Sequence, residues 1–303
     1  MATLAPRVVV VSRRSELDEL LGRHGTRAAA AYFLRERGRD IAEVAERHAA
    51  QEAALAAVGA AVPADWRRGQ VHRDDLSRFL FAPEDIVVTV GQDGLVANVA
   101  KYLAGQPVIG VNPEPGRNPG VLARFDPREL AALLPAVLAG RAGTQQRAMA
   151  VATLDDGQQL AGLNEIYVGH QTHQSARYVI TTPKGKQERQ SSSGVLVGTG
   201  TGATGWCASI ALSRNLTNTL PGPEADELCW FVREAWPSPA TGAKLTAGRV
   251  GRGQRLTLTS ESERLVVFAD GVESDHLVLA WGQRVAITAG DRRLNLVTGE
   301  PAH

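Results

Sequence analysis

Cysteine is scarce in this 303-residue chain, which carries only Cys207 and Cys229. Two thiols cannot build a disulfide framework, so a reduced compartment is expected. An excess of one charge is missing too. Lys and Arg number 33 against 32 Asp and Glu, a formal net charge of +1. That balance excludes the one-sign field of a nucleic-acid or anionic-membrane binder. No apolar run approaches the ~20 residues of a membrane span. The chain passes from Met1 into the strand-like Arg7-Val8-Val9-Val10-Val11 without the charged head, apolar middle and cleavage site of a secretory signal. A cytoplasmic protein with neither nucleic-acid nor membrane partners is expected. The length allows one large or two ordinary domains.

What is present divides into two halves. In the first, β-branched runs alternate with helical stretches: strands at 8–11, 86–90 and 108–111, an Ala/Glu/Arg-rich stretch over 27–61 that reads as more than one helix, and an amphipathic helix over 95–103. Asp126-Pro127-Arg128-Glu129 has the N-cap, first-turn proline and third-position acid of a helix start. Such alternation predicts a Rossmann-like parallel sheet flanked by helices. The second half reads as short strands near 164–168, 176–181, 196–197, 255–258, 264–268, 277–279, 284–287 and 294–297, parted by Gly, Pro, Ser and Asp turns. That pattern predicts an antiparallel β-rich domain. The join at 140–146 is the weakest-patterned, which gives domains of 1–143 and 144–303. Residues 62–75 and 221–248 read as irregular.

Four groups of residues could carry chemistry. Gly91-Gln92-Asp93-Gly94 ends a strand and opens a helix, the position where doubly wound sheets bind ligands. Its glycines permit close backbone approach, and Asp93 could hold Mg²⁺ or take a hydroxyl proton. A plain strand–helix turn capped by Asp has the same sequence. Asn164-Glu165 enters a strand with an amide beside a carboxylate, suited to ribose hydroxyls or a base edge but also an ordinary polar strand entry. His170 and His173 lie in a loop-like stretch without the helical face and third ligand of a zinc site, so no metal is expected there. Cys207 at a helix start lacks an adjacent base and reads as a packing residue.

The run Thr199-Gly200-Thr201-Gly202-Ala203-Thr204-Gly205-Trp206 follows a short apolar strand and precedes a helix. Its backbone N–H groups could face an anion or a polar ligand edge. Gly200, Gly202 and Gly205 match the dinucleotide fingerprint, which also needs a strand ending in an acid ~20 residues on. Glu224 and Asp226 sit instead in a Pro/Gly-broken stretch, in the half expected to be antiparallel. The oxidoreductase reading weakens accordingly.

Taken in order, these motifs resemble the NAD kinase family over nearly the whole chain, and its mitochondrial-type branch in particular. The resemblance rests on residues 7–11, Gly91-Gln92-Asp93-Gly94, Val108-Ile109-Gly110-Val111-Asn112, Leu163-Asn164-Glu165, Ser191-Ser192-Ser193-Gly194, residues 198–206 and Phe268-Ala269-Asp270-Gly271. It implies transfer of the γ-phosphoryl of ATP, or of polyphosphate in some members, to the 2′-hydroxyl of the adenosine ribose of NAD(H), with Mg²⁺ on the phosphates. By that resemblance Asp93 activates the hydroxyl, and Gly91, Gln92 and Gly94 hold the phosphates. Asn164, Glu165, Ser193, Thr201, Thr204, Gly205 and Trp206 contact NAD, with the active site in the cleft between the domains. A homodimer or higher homo-oligomer is implied as well. The chain departs from the family's Gly-Gly-Asp-Gly-Thr at Gln92 and Leu95, carries Ser193 where most bacterial members have Asp, and has Trp206 where Tyr is usual. Losing the Thr hydroxyl removes a phosphate donor worth about 1–3 kcal/mol. Those departures keep two rival readings open: a non-catalytic NAD(P)-binding protein, and a kinase of this fold acting on another nucleoside or metabolite.

Overall fold

Val8, Val9, Val10 and Val11 are all buried in the computed structural model, because both faces of the strand they form are covered. The structure describes residues 5–117 and 119–301. It is a mixed α/β fold with one mostly parallel sheet and separate antiparallel pairing. The chain divides into two units, one holding the described residues up to Gln145 and those from Asn295 on, the other Gln146–Leu294.

The first unit is built from β1 (Arg7–Ser12), α1 (Glu16–His24), α2 (Arg27–Arg35), α3 (Ile41–Ala61), β2 (Arg67–His72), β3 (Asp85–Val90), α4 (Asp93–Ala100), β4 (Pro107–Val111), β5 (Ala123–Phe125) and α5 (Leu130–Leu138). Strand β1 lies between β2 and β3, β3 pairs with β4, and β4 with β5, all parallel. One face packs Val8, Val10, Ile86, Val88 and Ile109 against Ala54 and Val58 of α3 and Leu130 and Leu134 of α5. The 27–61 stretch forms two helices, as its composition predicts. The break holds Gly38 at φ +68°, and Asp40 caps α3 through the N–H of Ala42 at 2.8 Å. The Asp126–Glu129 capping box is formed and leads through a short 3₁₀ turn into α5.

Two stretches of the first unit differ from the sequence reading. Helix α1 has no counterpart in it; Ser15 caps this helix, and Leu17 and Leu20 pack in a small cluster with Ala30, Leu34 and Val44. Residues 62–75, expected to be irregular, contain β2. It is polar except for Val71 and lies at the end of the strand order, so it shows no apolar alternation.

The second unit contains β6 (Ala142–Leu154, from residue 146), β7 (Gln159–Gly162), β8 (Glu165–His170), β9 (Ala176–Thr181), β10 (Gln187–Ser192), β11 (Gly194–Gly198), α6 (Trp206–Ser213), β12 (Leu228–Arg233), β13 (Ala247–Val250), β14 (Leu256–Ser260), β15 (Arg264–Ala269), β16 (His276–Ala280) and β17 (Arg284–Pro301, to residue 294). Six strands form an antiparallel sheet in the order β13-β12-β11-β8-β15-β16. A second antiparallel set joins β10, β9, β14 and the start of β17. Ile166, Val168, Val195, Val197, Trp230 and Val267 of the six-stranded sheet share one core with Tyr178, Ile180, Leu256 and Leu258. The opposite face of that sheet presents Tyr167, Leu196, Cys229 and Phe231 to Cys207 and Ala211 of α6.

Coverage on both faces explains another difference. Strand β12 falls inside the 221–248 stretch read as irregular. Its run Leu228-Cys229-Trp230-Phe231-Val232 is buried at every position, so it lacks the alternation of a half-exposed strand. Residues 284–287 and 294–297, expected as two strands, belong to one. The Gly290 between them is not a turn but a close contact: a Cβ there would lie 2.6 Å from Val151 Cγ2.

Candidate functional site

In the first unit the chain leaves β3 at Gly91 and enters α4 at Asp93. Gly91 N–H donates to Val111 O at 2.9 Å, tying the turn to the end of β4. Gln92 is exposed at the N-cap without a side-chain cap bond, while Leu95 is 1% exposed. The Asp93 carboxylate is half-buried and engaged. Oδ1 accepts the N–H of Leu122 at 3.0 Å and of Ala123 at 2.8 Å, and Oδ2 accepts that of Val121 at 2.9 Å. Gly110 lets this segment lie against β4, since a Cβ there would stand 2.2 Å from Leu122 O. Asp93 therefore orders residues 121–123, and of roughly four lone-pair positions on a carboxylate one is left.

In the second unit the Asn164-Glu165 pair heads β8, and Asp270 fixes it from about a hundred residues away. Its Oδ1 accepts the N–H of Asn164 at 2.7 Å and of Glu165 at 3.3 Å, and Oδ2 that of Leu163 at 2.9 Å. Asp270 adopts φ +52°, the left-handed turn conformation that Asp tolerates. Thr199 pins the other side. Its hydroxyl donates to Leu163 O at 2.5 Å and accepts the N–H of Thr201 and Gly202, and its N–H reaches Asn164 O at 2.9 Å.

Three of the four glycines of residues 198–206 are spent on the protein's own atoms. A Cβ at Gly198 would meet Cys207 Sγ at 2.2 Å, one at Gly200 would meet Gly222 O at 1.7 Å, and one at Gly202 would meet Asn164 O at 2.1 Å. The run is a close-packed support for Asn164 and Glu165, not an open phosphate loop. Gly205 is uncrowded, a Cβ there meeting Gly202 O at an ordinary 3.8 Å, and it and Thr204 are exposed.

Three polar groups at this support have no protein partner. Neither the Asn164 amide nor the Glu165 carboxyl makes a side-chain hydrogen bond or ion pair among the described residues, and the Thr201 hydroxyl is buried without one. Burial, reinforced by the neighbouring Asp270 carboxylate, pushes the Glu165 carboxyl up to about 7. A half-buried carboxyl shifted that far and left unpaired is the mark of a binding or catalytic site.

The remaining sequence candidates fall elsewhere. Ser193 is exposed and precedes β11, at the opposite end of that five-residue strand from Thr199. Its carbonyl accepts the Tyr167 hydroxyl at 2.6 Å. Trp206 already has ring partners: it stacks on Tyr167 at 5.7 Å and carries the Arg233 guanidinium 5.2 Å from its centroid. Cys207 is buried beside Cys229, whose contact and the surrounding apolar packing push its thiol up, in keeping with a packing role. His170 Nδ1 accepts the N–H of Thr172 at 3.1 Å, and among the described residues no three His, Cys, Asp or Glu side chains converge on a metal position.

Sequence reasoning gave no role to Asp270 or Thr199. The Asp-Gly turn at 270–271 is the available signal for the first; the second heads the glycine-rich run, but nothing local shows that its hydroxyl binds Leu163 O.

No protein-family model matches the chain. It is similar to the NAD kinase of Chlorobaculum tepidum, with 23% identity over 223 residues that cover 71% of this chain and 72% of that protein. No described helix is long and apolar enough to cross a membrane.

Proposed function

We propose that the chain is an NAD kinase that transfers the γ-phosphoryl group of ATP to the 2′-hydroxyl of the adenosine ribose of NAD(H), giving NADP(H) and ADP. The observation that carries this reading is the partnerless Asn164–Glu165–Thr201 group, found in a chain similar to an NAD kinase. Such a group suits a nucleoside. The Glu165 carboxylate accepts from ribose hydroxyls, the Asn164 amide both donates and accepts, and the buried Thr201 hydroxyl gains the partner it lacks. Thr204, Gly205 and Trp206 border the same ligand, while Ser193 serves a more distant part of it.

Gly91, Gln92 and Gly94 are assigned to the donor phosphates, at the carboxyl end of a parallel strand. Asp93 is assigned as the group that takes the hydroxyl proton as the new P–O bond forms and the bond to ADP breaks. Its remaining lone-pair position is the one available for this. Mg²⁺ is held in such sites by one or two carboxylates and the substrate's phosphates, a donor set the residues of this unit fit; when bound it neutralises phosphate charge. A cytoplasmic homo-oligomer completes the reading, and light scattering tests the assembly.

The reading is tested by incubating the purified protein with NAD, ATP and Mg²⁺ and measuring NADP. Glu165→Gln and Asn164→Ala are expected to raise the KM for NAD by at least ~10-fold, the size of one lost charge-assisted contact. A second reading, a protein that binds NAD(P) without phosphorylating it, is favoured by one observation: three of Asp93's acceptor positions serve the protein's own backbone. Tight NAD binding without turnover selects it. ATP consumption with other nucleosides but not with NAD selects a kinase with a different acceptor.

A further inference from the structure

Tyr167 is buried on β8, two residues beyond Glu165 and so on the same face of the six-stranded sheet. Leu196 of β11 and Phe268 of β15 are its cross-strand neighbours. Two glycines make room for its hydroxyl. A Cβ at Gly169 would stand 2.1 Å from the Tyr167 hydroxyl oxygen, and one at Gly194, which adopts φ +116°, would stand 2.6 Å from it. Burial pushes the Tyr167 phenol up, so at neutral pH it is a hydrogen-bond donor.

Four contacts close a ring that includes this side chain. The Tyr167 hydroxyl donates to Ser193 O at 2.6 Å, and Ser193 N–H donates to Arg233 O at 3.0 Å. The Arg233 guanidinium lies 5.2 Å from the Trp206 ring centroid, and Trp206 stacks on Tyr167 at 5.7 Å with 17° between the planes. Both backbone polar groups of Ser193 are thereby held, although its side chain is exposed. Ser193 and Trp206 lie in sequence on either side of β11, yet Tyr167 touches both. Tyr167, Trp206 and Arg233, with Phe268 tilted against Tyr167 at 4.9 Å, also line a cavity of about 350 Å³. That volume lies in the ~300–1,000 Å³ range of small-molecule sites. The ring of contacts therefore borders space that a ligand can enter and is not enclosed in the core.

We propose that Tyr167 is a positioning residue that couples the two ends of the NAD site, fixing Ser193 through its hydroxyl and Trp206 through its ring. The identity of the ligand rests on the NAD reading; the coupling does not. The two contacts act on different parts of the ligand. The hydroxyl bears on the part beyond the adenosine, which Ser193 serves, and the ring bears on the adenosine, which Trp206 borders.

The test is calorimetric binding of NAD and of 5′-AMP to the wild-type protein, Tyr167→Phe and Tyr167→Leu, with thermal midpoints as fold controls. Tyr167→Phe keeps the ring and loses one hydrogen bond. It is expected to bind NAD ~3- to 10-fold more weakly and AMP as tightly as the wild type. Tyr167→Leu removes the stack as well and is expected to weaken both ligands several-fold. A residue with only a structural role would lower the thermal midpoint and leave the ratio of the two affinities unchanged. Undiminished NAD affinity in Tyr167→Phe, or equal weakening of both ligands, overturns the proposal. Should Tyr167→Leu not fold, Tyr167→Phe decides alone. Absence of NAD binding by the wild type defeats the NAD reading. In that case, or if AMP alone fails to bind, hydrogen exchange over residues 191–195 decides the coupling: faster exchange in Tyr167→Phe upholds it, and unchanged exchange overturns it.

Discussion

At the scale of single residues, the proposed role of Glu165 predicts that stability and ligand binding are linked through its carboxyl. Burial, and then Asp270, push its carboxyl up to about 7 in the folded protein, against 4.5 for an unperturbed glutamate. The folded state therefore binds more protons than the unfolded one between those values, and stability falls as pH rises through that window. That displacement corresponds to roughly 3 kcal/mol at most. Glu165→Gln removes the penalty: its denaturant midpoint should exceed that of the wild type at pH 8, by an amount worth about 1–3 kcal/mol, and the gap should close below pH 5. Equal differences at both pH values contradict the assignment. The variant should at the same time lose affinity for NAD, so that stability and binding move in opposite directions.

Asp93 carries two duties at this scale, which makes the obvious substitution an impure one. Asparagine keeps one carbonyl oxygen for three backbone N–H groups and turns an amide N–H₂ toward at least one of them. Asp93→Asn is expected to cost about 1–3 kcal/mol of stability through residues 121–123, in addition to a loss of ~10²–10⁴ in kcat if the carboxylate is the base. Urea unfolding and steady-state kinetics on the same preparation separate the two. A variant with unchanged stability would show that the loop does not depend on this carboxylate.

At the scale of elements, the sequence was legible where burial alternates and opaque where it does not. Strand β9 has the bounds expected from its sequence, because Ala176, Tyr178 and Ile180 face the core while Arg177, Val179 and Thr181 do not share that burial. Strand β12 is covered on both faces and β2 is mostly polar, so neither carries a period. The candidate site divides in the same way. Asn164-Glu165 and Gly91-Gln92-Asp93-Gly94 stood out as local strings. The support of the first did not: Asp270 acts on residues 105–107 positions earlier. The glycine-rich run reads as a phosphate loop, yet Gly200 and Gly202 answer to Gly222 and Asn164. Gly202→Ala tests this directly, since the added methyl would press on Asn164 O. It is expected to cost about 1–3 kcal/mol and to weaken NAD binding by displacing Asn164; a neutral substitution would contradict the close packing.

At the scale of the molecule, the chain passes between units twice, at 145/146 and again at 294/295. The final crossing returns β17 to the first sheet, where Asn295 and Leu296 pair in parallel with Pro107 and Val108. Leu296 and Val297 are fully buried there. Ending the chain after Leu294 should therefore remove about 3–6 kcal/mol from the first unit, at roughly 1.5–3 kcal/mol for each buried aliphatic side chain. A lower urea midpoint is the expected result, and an unchanged one would mean that the first unit folds without its last strand.

Detection of NADP formed from NAD, ATP and Mg²⁺ by the purified chain tests the proposed kinase activity most directly. NADP accumulating in proportion to enzyme and to ADP released, and falling when Glu165 is replaced by Gln, is the predicted result. Absence of NADP while NAD binds to the Asn164–Glu165 group would contradict the kinase and leave a nucleotide-binding protein in its place.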